Sequence, residues 1–286
     1  MNLTQKQKGI LCIISAAFFF SLMNAFVRLS GDIPSIQKSF FRNLIAMLFA
    51  AALLLRKQEK IALKKGDLRF LLLRSFFGTV GILCNFYAVD HMVLADASML
   101  NKMSPFFAIL FSFFLLKEKV SLFQALAVLS AFVGSLFILK PSGQSLSLFP
   151  ACIGLLGGMG AGIAYTMVRI LGKRKIQGPF IVFFFSAFSC LVVLPYLLFA
   201  YHPMSLRQLL LLLGAGLAAS GGQFSITAAY CFAPAREISV YDYSQIVFSA
   251  LLGFFLFGQL PDLFSWLGYL IICAAAIAMF FYNRSH

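Results

Sequence analysis

Charge is scarce in this sequence. Of 286 residues only 9 are Asp or Glu, and charged side chains make up 11% of the chain. A soluble domain carries about 25% charged residues, so an ordinary soluble enzyme is excluded, as are a disordered chain and a fibrous repeat. No Gly-rich phosphate loop and no GxxxxGK[ST] run is present, so the chain does not hydrolyse ATP by itself. Histidine is nearly absent: His91 and His202 fall in expected external loops and His286 is the last residue. With no HExxH and no paired intramembrane aspartates, an intramembrane enzyme is disfavoured. The six cysteines lie one per apolar run without CxxC spacing. They read as small apolar packing residues, and nothing supports a metal, a disulfide or a cofactor.

What is present is apolar: 61% of the residues are hydrophobic, 35 of them Phe, and mean hydropathy is +0.93. A membrane-spanning helix needs about 20 apolar residues. Cutting at Pro, Gly and charge clusters yields ten such segments, near 9–29, 36–55, 70–89, 95–116, 121–139, 151–172, 179–200, 208–231, 238–258 and 263–282. The chain therefore reads as one all-α polytopic domain in the cell membrane. The first segment is too long for a signal-peptide core and is expected to remain as a span. The net charge of +14 suggests nucleic acid only in a soluble protein. Here it is loop asymmetry: with the N-terminus inside, sixteen Lys and Arg, Arg74 among them, fall in cytoplasmic pieces, and Lys38, Lys140 and Arg207 outside. The positive-inside rule then puts both termini in the cytoplasm. The basic stretch from Arg56 to Arg74 sets topology or holds anionic lipid, and runs such as Phe18-Phe19-Phe20 pack against lipid and neighbouring helices.

The second half echoes the first. Val27-Arg28-Leu29 returns as Val168-Arg169-Ile170, and Tyr87-Ala88 as Tyr230-Cys231. Five spans per half is an odd number, so halves 1–143 and 144–286 enter the membrane from opposite sides, an arrangement of secondary transporters with a midplane site between repeats. Small residues at Gly154, Gly158 and Gly162, and at Gly214, Ala218 and Gly222, mark close helix contacts.

Several motifs carry a family resemblance: Phe40-Phe41-Arg42, Leu94-Ala95-Asp96-Ala97-Ser98 through Ser104-Pro105 to Leu116-Lys117-Glu118-Lys119, Lys140-Pro141, Tyr241-Asp242-Tyr243-Ser244, and Phe257-Gly258-Gln259-Leu260-Pro261-Asp262. Over nearly its whole length the chain resembles the EamA-like branch of the drug/metabolite transporter superfamily, with ten spans in two repeats. Gln259 departs from the family's frequent Glu, whereas Glu118 keeps it. The resemblance implies a cavity built by segments one, three, four, six, eight and nine, for substrates ranging from amino acids, nucleosides and S-adenosylmethionine-like compounds to cationic drugs.

Ionisable residues inside spans cost roughly 2.5–3.5 kcal/mol each on insertion scales, so they are site candidates. At about 1.5 Å per residue, Lys102 lies about 10 Å from the outer end of its segment and Asp242 about 6 Å from the inner end of its own, leaving about 14 Å between them in a core about 30 Å thick. On that count they are too far apart for a direct ion pair and are expected as opposite poles of one aqueous cavity, Lys102 facing an anionic and Asp242 a cationic part of the substrate or a proton. The alternative is that Lys102 snorkels outward and Asp242 caps its helix. Asn24, Asn85, Asn101, Tyr165, Gln223, Tyr241, Tyr243 and Gln245 complete the candidate lining, with Arg42 as a further buried charge. Arg28 and Arg169, at matching positions, are expected to snorkel to opposite interfaces. Pro105 removes a backbone bond beside Lys102 and predicts a bend there.

The resulting expectation is a secondary transporter moving a small polar metabolite by alternating access, as monomer or homodimer, with proton coupling as one option. Its rivals are a cationic-drug exporter and, in another class, a channel, scramblase or intramembrane enzyme.

Overall fold

The computed structural model describes residues 4–57, 63–116, 121–139, 148–233 and 235–285. Its first half runs α1 (Gln5–Leu29), α2 (Ser35–Lys57), α3 (Asp67–His91), α4 (Leu94–Asn101), α5 (Ser104–Leu116) and α6 (Leu122–Leu139). The second runs α7 (Leu148–Lys173), α8 (Gly178–Phe199), α9 (Leu206–Phe232), α10 (Ala235–Asp242), α11 (Ser244–Phe257) and α12 (Leu263–Ser285). Among the described residues there are no strands. In hydrocarbon no water serves the backbone, so each apolar run pairs its own N–H and C=O groups by coiling. Polar signals set several ends. Thr4 and Gln7 form a capping box at the start of α1, as Ser205 and Gln208 do at α9, and Gly258 stops α11 in the left-handed region with φ 61°.

Among the described residues, eight helical stretches are long and apolar enough to cross a membrane. Of the ten expected segments the fourth and fifth are not among these eight: the fourth breaks into α4 and α5 at Lys102-Met103 beside Pro105, where a bend is predicted, and the fifth is the shorter α6. The ninth breaks into α10 and α11 at Tyr243, with no proline there to announce it. The Leu116-Lys117-Glu118-Lys119 motif beyond Leu116, and Lys140-Pro141, lie outside the described residues.

Packing pairs the halves. α1 lies on α9 and α3 on α7; α5 packs on α7 as α11 does on α1; α4 meets α7 as α10 meets α1. Exchanging the halves maps each of these pairs onto another, and α2–α8 and α6–α12 onto themselves. The glycine stripe of α7 is where backbones come closest. A Cβ on Gly158 would stand 2.5 Å from the Leu100 carbonyl oxygen, one on Gly160 2.8 Å from that of Phe77, and one on Gly162 2.6 Å from that of Ser104. Gly158 and Gly162 thus press α7 onto both sides of the α4–α5 break, as small residues allow in lipid.

Candidate functional site

The two helix breaks meet. Lys102, the first residue past α4, and Asp242, the last of α10, are both buried, and Lys102 Nζ lies 2.7 Å from Asp242 Oδ1. This overturns the expectation of separate poles, and equally the snorkelling and capping alternatives. The reason is in the lengths. α10 begins at Ala235, three residues before the expected Ile238, so Asp242 lies about 10 Å along it and Lys102 about 12 Å along α4. Counted from opposite faces of a core about 30 Å thick, as in the sequence-based expectation, that leaves about 8 Å, close to the reach of an extended lysine side chain.

Among the described residues neither oxygen of Asp242 accepts a hydrogen bond, so its carboxylate is held by Coulomb attraction to one ammonium. Tyr243, at the second break, donates its hydroxyl to the Lys102 carbonyl at 3.0 Å, an acceptor freed by the first break. Below the pair, hydroxyls knit α1, α4 and α11: Ser249 Oγ lies 3.0 Å from Ser21 Oγ and 2.8 Å from Ser98 Oγ, and Ser21 also donates to the Gln245 carbonyl at 3.1 Å. Gln245 is buried beside them. Asp96 accepts from the Tyr269 hydroxyl at 2.6 Å.

A second polar centre gathers around Phe185 on α8. The guanidinium of Arg74 sits 4.0 Å from the ring centroid and that of Arg42 5.7 Å. Arg42, on α2, donates to Asn43 Oδ1 at 2.7 Å and to Gln223 Oε1 at 3.4 Å. Arg74, on α3, has no hydrogen bond or ion pair among the described residues, and Nε of both arginines is unpartnered. Each arginine is only 2% exposed. Arg74 was expected in a cytoplasmic loop. The structure instead buries it two turns into α3, where Gly78, one turn further on, leaves the room: a Cβ there would collide with Arg74 Nη1 and stand 2.8 Å from Phe185 Cε2. A charge four residues before a glycine in an apolar run is the signal that could have found it. Cation–π attraction contributes about 0.5–2 kcal/mol per arginine, less than the roughly 2.5–3.5 kcal/mol that placing each charge in a membrane costs.

Tyr165 on α7 is half-buried. It stacks on Tyr230 at 5.4 Å, a residue the sequence marks only as a repeat feature. Asn85 Nδ2 donates to Asn24 Oδ1 at 3.1 Å, tying α3 to α1. Asn101 ends α4 next to Lys102, and Tyr241 packs edge-on to Phe280, 6.0 Å away. Arg28 spends its charge on the end of α3, donating to the carbonyls of Val89 and Met92. Lys38, expected outside, is buried in α2 and pairs with Asp90 at 2.7 Å. The polar interior therefore reaches α2 and α8, beyond the six expected segments. No cluster of metal-ligating side chains occurs among the described residues.

Comparison with known proteins agrees with this architecture. The model of the EamA-like transporter family matches the chain twice, over residues 7–140 and 148–281. The pseudopaline exporter CntI of Pseudomonas aeruginosa is 36% identical over 281 residues, covering 98% of each chain. The riboflavin transporter of Vibrio cholerae is 26% identical, covering 93% of this chain and 90% of its own. A solved crystal structure aligns with a TM-score of 0.68 over 97% of this chain and 98% of that one, a likeness of fold alone at 16% identity.

Proposed function

The chain belongs to the EamA-like transporter family, and from that premise we propose that it is a secondary carrier exporting a small polar organic metabolite by alternating access. Ten crossings in two inverted halves, 1–143 and 144–286, form the carrier, with the substrate site where the broken helices meet. The double match of the family model and the exchangeable packing of the halves support this reading, and export follows the relative that is 36% identical. Discontinuous helices at matching positions of two repeats are where transporters of this construction hold substrate and coupling ions.

The observation that carries the proposal is the buried Lys102–Asp242 pair bridging the two breaks. Joined, it locks α4–α5 to α10–α11. A substrate ammonium or a proton on Asp242 releases Lys102 and frees the halves to rock. A cationic-drug exporter fits less well, because the buried Arg42 and Arg74 make the interior around Phe185 electropositive.

The test is counterflow in proteoliposomes, preloaded with cell-extract metabolites and read by mass spectrometry of exchanged isotope-labelled species. Lys102→Met and Asp242→Asn are each expected to lower exchange at least tenfold. Normal exchange by both variants would refute the reading.

A further inference from the structure

Two arginines buried around one phenyl ring, with no carboxylate paired to either among the described residues, amount to a cationic site awaiting a counter-charge. We propose that Arg42 and Arg74, framed by Phe185 and Gln223, form the subsite for an oxyanion of the transported compound. On the carrier reading above, the cargo is then an organic anion or zwitterion whose anionic end lies at this centre while its remainder reaches the Lys102–Asp242 pair.

Three features argue for a ligand and against a purely structural pair. Arg74 makes no hydrogen bond among the described residues, whereas a structural guanidinium spends donors on carbonyls, as Arg28 Nη1 does on those of Val89 and Met92 at the end of α3. Glycine at 78 leaves room for the guanidinium to fold back onto Phe185, and there it stays 2% exposed. Arg42 and Arg74 also repel one another, and Phe185 attracts both without neutralising either. A planar fork of N–H donors matches a carboxylate or phosphate with two parallel hydrogen bonds, and an oxyanion between two such forks removes repulsion and unmet donors together.

The experiment follows the melting temperature of the detergent-purified full chain at fixed ionic strength in succinate, L-glutamate or inorganic phosphate, against chloride and uncharged succinamide. The wild type is expected to gain several degrees in at least one oxyanion and none in succinamide. A gain with the carboxylates alone assigns a carboxylate end, and a gain with phosphate alone a phosphoryl end. Arg42→Gln and Arg74→Gln are expected to abolish the gain while melting no lower than wild type in chloride, since each removes an unpaired buried charge. Should either glutamine variant fail to fold, Arg42→Lys and Arg74→Lys keep the charge and lose the fork, and at least a tenfold weaker apparent affinity is expected. No gain in any oxyanion, or a gain that survives the substitutions, would each overturn the subsite. Loss of the gain with unimpaired exchange by Lys102→Met and Asp242→Asn would instead leave the subsite standing and remove the carrier reading built on the ion pair.

Discussion

At the scale of single residues, the buried ion pair makes a stability prediction separable from transport. Removing one member of a buried pair leaves a charge uncompensated and costs about 3–5 kcal/mol, whereas removing both is close to neutral. Lys102→Met and Asp242→Asn are each expected to melt well below the wild type, and the double variant to recover most of that loss while still failing to exchange substrate. A double-mutant cycle of melting temperatures checks this. An additive double variant would mean that the 2.7 Å contact contributes nothing to the fold. Tyr243→Phe tests the neighbouring bond to the Lys102 carbonyl, with an expected loss of about 1 kcal/mol. Most of these side chains were legible as candidates, because a polar residue in an apolar run is conspicuous. Their partners were not. Arg74, four residues into its segment, looked like a loop charge because hydropathy records composition along the chain and not where a long side chain turns.

At the scale of helices, the glycines of α7 differ sharply in what they tolerate. A Cβ at Gly158 meets the Leu100 carbonyl oxygen at 2.5 Å, and backbone cannot swing aside as a side chain does. Gly158→Ala is therefore expected to cost about 1–3 kcal/mol through overpacking. Gly253→Ala on α11 is the control: its nearest neighbours stand 3.8 and 3.9 Å away, and alanine's better helix propensity, up to about 1 kcal/mol, makes it neutral or slightly stabilising. Thermal melts of the two variants decide it. The stripe was visible in the sequence as spacing, and the structure adds what it serves, the seating of α7 across the α4–α5 break. Of the two breaks only the first could be foreseen, from Pro105. The second, at Tyr243, carries no such sequence signal and meets the first through the Tyr243 hydroxyl's bond to the Lys102 carbonyl.

At the scale of the whole molecule, the proposed inverted arrangement makes a topological prediction. Reporter fusions at residue 4 and residue 285 are expected to fluoresce as cytoplasmic GFP and to be inactive as alkaline phosphatase, and a phosphatase inserted at residue 203, between α8 and α9, is expected to be active. Opposite sidedness of the two termini would exclude ten crossings. Exchange of halves maps α1–α9 onto α7–α3, so the interior is lined twice by related helices. It is nevertheless not symmetric in charge: Lys102 and Tyr243 stand at the two breaks, and Arg42 and Arg74 both come from the first half. Such asymmetry suits a cargo with unlike ends.

The sequence by itself determined that this is a multi-pass helical membrane protein of a transporter family, because hydropathy, loop charge and short motifs are local properties readable without knowing any contact. Which buried charges meet was decided only in three dimensions. Lys102 and Asp242 are 140 residues apart, and their contact depends on where α10 begins, how far a lysine stem reaches and how closely α7 lets the broken helices approach. The same holds for Arg42 and Arg74, brought to one phenyl ring from α2, α3 and α8. Depth along a helix can be counted from a sequence, but distance across a bundle depends on packing.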